Sequence, residues 1–277
     1  MRLADAVLCA SATEAIVGAA SAFAAGRTLL VPALYCHGLY RRLLVAGVHP
    51  RLYDVGPDLA GDSTSLMELR NEHGADIGAV LWLHPFGRFA PPPHGLEVPV
   101  IEDGCFSLAS AIWTRTEYEP ADLLVFSARK EFRWRQGGLI VGSRAAEFGE
   151  LSGRADEGVT RAWRGALDGT ERGPCALSAA EVIAALGKVL PGGYRSADML
   201  SVLPLLAADR DHTVAALRAV EVNAWYWREG LPGRNPGHTP TADALEKRLF
   251  FVSVASAAPD LLGPLASASL QRWPSEW

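Results

Sequence analysis

Lysine is scarce in this chain: Lys130, Lys188 and Lys247 are its only lysines, and the other basic residues are arginines. Arginine carries surface charge equally well, but only lysine offers a primary amine that loses its proton readily when desolvated and then forms a Schiff base with a carbonyl carbon. Lys130 stands in Ser127-Ala128-Arg129-Lys130, between an apolar run at residues 122–126 and Gly137-Gly138 with a second apolar run. That order reads as strand, lysine-bearing loop, strand. It makes Lys130 the first candidate for covalent chemistry, the plainer reading being a solvated loop lysine. Asp103 is the second candidate, because it ends Val98-Pro99-Val100-Ile101-Glu102-Asp103, and a buried carboxylate needs a cationic or hydrogen-bonding partner. Ser11 and Thr13 lie just before a small-residue helix read over residues 14–25, where side-chain oxygens cap free N–H groups and the helix dipole favours an anion. Simple capping accounts for them equally well.

Three residues so far apart in sequence meet only if the intervening chain folds back repeatedly. Residues 28–32, 51–55, 77–83, 98–102, 122–126 and 139–141 read as strands, most of them unbroken apolar runs, with helices over 14–25, 40–46 and 66–72 between the earlier ones. This alternation predicts an α/β fold: a three-layer α/β/α large domain with a mostly parallel sheet, over residues 1–175. Ligands of such sheets lie beyond the carboxyl ends of the strands. Tyr35, His84, Asp103 and Ser127 all follow strands there. Over residues 176–277 the pattern changes to helices at 178–190 and 199–227, the second kinked near Pro204, then a linker at 230–240, one clear strand at 249–255 and a helix at 259–270. These imply a small or incomplete C-terminal α+β subdomain.

The 277 residues are 49% hydrophobic and 21% charged, with a net charge of −5, so there is no basic footprint for nucleic acid or an anionic membrane. A small-molecule partner is expected instead. Cys9, Cys36, Cys105 and Cys175 are far apart and form no C-x-x-C pair, which suits a reducing cytoplasm. No apolar run reaches the length of about 18 residues that a membrane helix needs. Cys36, His37, His84, Asp103 and Cys105 fall near strand ends without metal-ligand spacing, so no metal is expected.

A lysine able to form a Schiff base, an aspartate able to hold a protonated pyridine nitrogen and an anion site at a helix N-terminus are together the signature of pyridoxal phosphate. From about Val7 to Gly142 the chain resembles the DegT/DnrJ/EryC1/StrS family of fold-type I, pyridoxal-phosphate-dependent aminotransferases. Ala12-Thr13-Glu14-Ala15-Ile16 stands where that family has its Gly-Thr-x-Ala-Leu phosphate loop, and Val31 to His37 matches its strand and aromatic loop. His84-Pro85-Phe86-Gly87 resembles its His-x-Tyr-Gly turn, Glu102-Asp103 its Glu-Asp, and Ser127 to Lys130 with Gly137-Gly138 its lysine segment.

The resemblance implies that Lys130 forms the internal aldimine and then shuttles a proton, and that Asp103 keeps the pyridine nitrogen protonated. It implies that Ala12, Thr13 and Ser127 bind the phosphate and that Tyr35 or His37 flanks the ring, although the family's aromatic position falls nearer Cys36. It further implies a homodimeric biosynthetic transferase that takes an amino group from an amino-acid donor to a keto sugar or a secondary-metabolite ketone. Phe106 departs from the family, which has Gln or His three residues after its aspartate, and Ala12 replaces a glycine. The chain is shorter than family members before the phosphate loop and after Lys130, so the resemblance is to a shortened member. Other chemistry on the same cofactor, dehydration or racemisation, remains open, as does a non-catalytic relative acting as a binding or partner subunit.

Overall fold

Residues 77–83 form an apolar run with no face to offer water, and such a run is stable only inside a covered sheet. The computed structural model describes residues 5–113, 118–132, 137–154, 157–168, 176–187, 189–227, 231–232, 238–254 and 261–273. Its first half alternates as expected: β1 (Val7–Cys9), α1 (Ala12–Phe23), β2 (Thr28–Pro32), α2 (His37–Val45), β3 (His49–Tyr53), α3 (Ser63–His73), β4 (Ile77–Leu83), β5 (Val100–Asp103), α4 (Leu108–Trp113), β6 (Leu123–Ser127), α5 (Ala128–Glu131) and β7 (Gly138–Val141). All seven residues of β4 are buried.

These strands make one seven-stranded sheet in the order β1-β7-β6-β5-β4-β2-β3. Neighbours pair in parallel from β3 to β6, while β7 runs antiparallel to both β6 and β1. The carboxyl ends of β2, β5 and β6 therefore open on one edge, where Tyr35, Asp103 and Ser127 lie. Helix α1 packs its buried face of Ala12, Ala15, Ile16, Ala19, Ala20 and Phe23 on this sheet. Small residues allow a close approach, closest at Gly138, where an added Cβ would lie 2.4 Å from the Ala12 nitrogen. Only glycine fits between β7 and the start of α1, so the sequence holds the lysine segment against the helix N-terminus.

The remaining elements are α6 (Glu157–Asp168), β8 (Leu177–Ser178), α7 (Ala179–Leu186), β9 (Met199–Leu200), β10 (Val202–Ala207), α8 (Arg210–Ala219), β11 (Ala224–Trp225), α9 (Pro240–Glu246), β12 (Leu249–Ser253), α10 (Leu262–Ser267) and β13 (Leu270–Gln271). Here the structure corrects the sequence reading. Instead of a kinked helix over 199–227 it has two strands, α8 and a third strand; instead of one clear strand it has a four-stranded sheet, β11-β12-β10-β13. The run Val202–Ala207 is buried at all six positions, and a short apolar run of this length suits a buried strand as well as a helix. Pro204 decides the matter by removing a helix hydrogen bond. In β10 it stands opposite Phe251 of β12, short of the Leu206–Ala207 stretch that pairs with β13, so its missing N–H leaves no ladder bond unmade. Ahead of this sheet, residues 157–168 form the 12-residue helix α6.

Two polar contacts, at β9 and at α9, help tie this second half of the chain to the first. Gly87 at φ 97° lies so close to Met199 that a Cβ there would sit 2.3 Å from the Met199 carbonyl oxygen. The Ser110 hydroxyl bridges them, donating to the Gly87 carbonyl at 2.5 Å and accepting from the Met199 N–H at 2.8 Å. The second contact is the buried Asp54, whose carboxylate accepts from the N–H groups of Thr241 at 3.0 Å, Ala242 at 2.9 Å and Val55 at 2.9 Å. It caps α9 from outside that helix. Asp54→Ala leaves these buried donors unmade and is expected to cost about 2 kcal/mol; urea unfolding measures it, and a midpoint equal to that of the wild type would contradict the capping role.

Candidate active site

A cavity of about 430 Å³ lies at the carboxyl edge of the sheet, and Thr13, Asp103, Ser127 and Lys130 all line it. Asp103 reaches it from the end of β5 and is only 5% exposed. Its Oδ2 accepts from the Tyr35 hydroxyl at 2.5 Å and its Oδ1 from the Cys105 N–H at 2.9 Å. Burial, and then the charge of Asp103, push the Tyr35 phenol and the Cys105 thiol well above their usual ranges, so both stay neutral donors. Among the described residues Asp103 has no ion-pair partner.

Strand alternation sends the preceding residue to the opposite face. There the fully buried Glu102 accepts from His84 Nε2 at 2.7 Å, from the Ala121 N–H at 2.7 Å and from the Tyr118 hydroxyl. His84 Nδ1 accepts from the Ala90 N–H at 3.1 Å, which puts the ring hydrogen on Nε2. His84 thus follows a strand as expected, but it braces the back of the sheet and does not line the cavity.

Lys130 enters from the short helix α5 that follows β6. Its Nζ lies 3.8 Å from the centroid of the Phe106 ring. The next residue, Glu131, is fully buried and accepts from the N–H groups of Leu108 at 2.5 Å and Ala109 at 3.2 Å, which fastens the lysine turn to the start of α4. The start of α1 also borders the cavity. The Ser11 hydroxyl caps that helix by accepting from the Glu14 N–H at 3.1 Å. No described hydrogen bond uses the N–H of Ala12 or Thr13, and both residues line the cavity, as does the arginine pair Arg42 and Arg129. A helix N-terminus with free N–H groups, two hydroxyls and cations nearby suits an anion.

Of the residues expected to contact a cofactor, Ala12, Thr13, Asp103, Ser127 and Lys130 line this cavity, whereas Tyr35 and His37 do not. Cys36, between them, does. Tyr35 is buried at 2% exposure with its hydroxyl on Asp103, so it acts behind the cavity wall, and His37 begins α2. Alternate residues of an extended chain point to opposite sides, so with Cys36 facing the cavity its two neighbours face away from it. Arg42 lines the cavity too but is, in the sequence, an arginine on a helix with nothing to mark it, and Cys105 stands out there only as one of the strand-end residues without metal-ligand spacing. The described residues contain no group of three His, Cys, Asp or Glu side chains that could hold a metal ion, and no helix among them is long and apolar enough to cross a membrane.

No protein-family sequence model matches the chain, and no curated protein matches it in sequence. Solved structures do match. A DegT DnrJ EryC1 StrS aminotransferase from Brucella abortus aligns with a TM-score of 0.67 at 16% identity, over 94% of this chain and 84% of that one. A sugar aminotransferase from Micromonospora echinospora gives 0.64 at 17% identity, over 94% and 85%. The structure of 3-amino-5-hydroxybenzoic acid synthase gives 0.66 at 15% identity, over 94% and 84%. The chain has the three-layer fold of these proteins, with its mostly parallel sheet of seven strands.

Glu131 gives this region a pH dependence. Burial pushes its carboxyl from the ordinary 4.5 up to about 8, against the opposing pull of the Ala109 and Leu108 N–H groups and the Lys130 charge. Between those values the folded chain keeps a proton that the unfolded chain has released, so this contribution is fully present below about pH 4.5 and is lost as pH rises towards 8. The slope is at most about 1.4 kcal/mol per pH unit. Urea unfolding across that window is expected to show a shallower decline for Glu131→Gln than for the wild type; identical slopes would contradict the assignment.

Proposed function

We propose that the chain is a pyridoxal-phosphate-dependent aminotransferase that transfers an amino group from an amino-acid donor to a keto sugar or another secondary-metabolite ketone. The observation that carries this reading is the convergence of Lys130, Asp103 and the first turn of α1 on one cavity. The residues fit the cofactor by their chemistry. Asp103 is a buried acceptor without a cationic partner among the described residues, and a protonated ring nitrogen completes it. The N–H groups of Ala12 and Thr13 and the Thr13 and Ser127 hydroxyls suit a phosphate. When bound, pyridoxal phosphate supplies an electron sink that no side chain offers.

The chain's own residues do the rest. Lys130 holds the cofactor through its Nζ and, when released, carries at that atom the proton moved at the substrate carbon. Asp103 keeps a proton on the ring nitrogen, and Tyr35 and the Cys105 N–H fix its carboxylate in place. Free Cys9, Cys36 and Cys105 agree with a cytoplasmic setting. The sugar aminotransferase among the similar structures supports the substrate class. Phe106 favours a second reading, a non-catalytic partner subunit, because it replaces the polar residue of the family. Lys130→Ala is expected to abolish both the absorbance of protein-bound pyridoxal phosphate and the formation of amine from ketone and glutamate. Retention of both would refute the main reading, while a wild type that takes no cofactor yet binds a longer homologue would favour the second.

A second copy of the chain is the proposed partner. Beside the first cavity lies one of about 810 Å³ that shares Ser11, Thr13 and Arg42 with it and is walled by Val45 of α2. Val45 is 90% exposed and Leu44 45%, and an apolar patch at a cavity mouth commonly marks an interface. Val45→Glu is expected to shift sedimentation from dimer towards monomer; an unchanged dimer would show that α2 is not the contact, and a wild-type monomer would contradict the dimer itself.

A further inference from the structure

We propose that Phe106 is a positioning residue for Lys130, its ring face being the resting place of the lysine amine whenever that amine is free. The Nζ stands 3.8 Å from the ring centroid, well inside the range of about 6 Å over which a ring face attracts an ammonium. No carboxylate among the described residues pairs with Nζ. Glu131, the nearest in sequence, spends its oxygens on the N–H groups of Leu108 and Ala109.

Both sides of the contact are fixed. The Phe106 ring is 5.2 Å from that of Phe86, which packs 4.8 Å from Phe251, and Phe251 in turn stacks on Trp225 at 4.5 Å. This aromatic column runs from the lysine into the second sheet and leaves the ring little freedom. The backbone before Phe106 is held by the Gly104 N–H on the Val125 carbonyl at 2.9 Å and by the Ser107 N–H on the Gly104 carbonyl at 2.8 Å. The backbone of Lys130 is held through Glu131 to Leu108, two residues beyond Phe106. Ring and lysine are thus fastened to one turn, and the flexible four-carbon stem is the only moving part.

A ring face holds the amine without a directional hydrogen bond, and more weakly than a buried carboxylate would. The amine is therefore ordered beside the cavity yet free to swing into it. Gln at this place has no ring face to cover the stem and meet the charge, and the imidazole of His is more polar and can itself take up a proton and repel an ammonium. The proposal takes from the functional reading only that Lys130 is the reacting amine.

The test uses the full chain without cofactor, reductively methylated with ¹³C-formaldehyde. Its three lysines and N-terminal amine give few signals, and Lys130→Arg identifies that of Lys130. The Lys130 methyl signal is expected upfield of those of Lys188 and Lys247 through the ring current, with a nuclear Overhauser contact to aromatic protons. In Phe106→Leu the upfield shift is lost, and in Phe106→Tyr, which keeps the ring, it is retained. A Lys130 signal that coincides with the other lysines in the wild type, or that stays upfield in Phe106→Leu, overturns the proposal. The wild-type measurement alone decides if the leucine variant does not fold. Uptake of pyridoxal phosphate is scored separately by absorbance: a ring-shifted amine without uptake keeps the resting place and removes the cofactor reading, and uptake without the shift does the reverse.

Discussion

A carboxylate set at the end of a buried strand has to be compensated, and Asp103 is that carboxylate here. Taking such a charge out of water costs several kcal/mol unless hydrogen bonds or an opposite charge replace the lost solvent. The fold supplies two donors, the Tyr35 hydroxyl and the Cys105 N–H. It leaves the third element of compensation, a cation, to whatever enters the cavity. The depth of the burial explains the care taken with the donors. Both ionisable neighbours are held neutral, so neither adds a second negative charge beside the first.

The same strand carries two buried acids on opposite faces, and the two are satisfied in different ways. Glu102 is fully engaged by His84, Tyr118 and the Ala121 N–H, a closed network that fixes β5 against its neighbours. Asp103 is engaged only by its supports and opens on the cavity. A third buried acid, Glu131, ties the lysine turn to α4. Behind the Lys130 amine, then, the anchoring contacts are buried hydrogen bonds, and the amine itself lies over an aromatic face. That division, a backbone held by hydrogen bonds and an amine over a ring face, suits the proposed role of Lys130 as an amine that is bound and released.

Much of this was legible in the sequence because it rests on strong local signals. Unbroken apolar runs located β2 and β4 to the residue, and the polar residues at the ends of β5 and β6 identified Asp103, Ser127 and Lys130 as neighbours. Gly138 was visible as part of a glycine pair, though only the structure shows that it admits the first turn of α1. The second sheet was not legible, since Val202–Ala207 is too short and too uniformly apolar to distinguish strand from helix, and its partners β11 and β13 are two residues each. The inward face of the segment 35–37 was also hidden. Tyr35 and His37 look like better cofactor contacts than Cys36, and only the course of the chain into α2 reveals that Tyr35 turns away to Asp103.

The measurement that bears most directly on the central claim is borohydride reduction of the purified chain with pyridoxal phosphate, followed by peptide mass spectrometry. A single reduced phosphopyridoxyl adduct on Lys130 is expected, with none on Lys188 or Lys247. An adduct spread over the three lysines, or one absent from Lys130, would contradict it and leave the buried Asp103 waiting for a different cation.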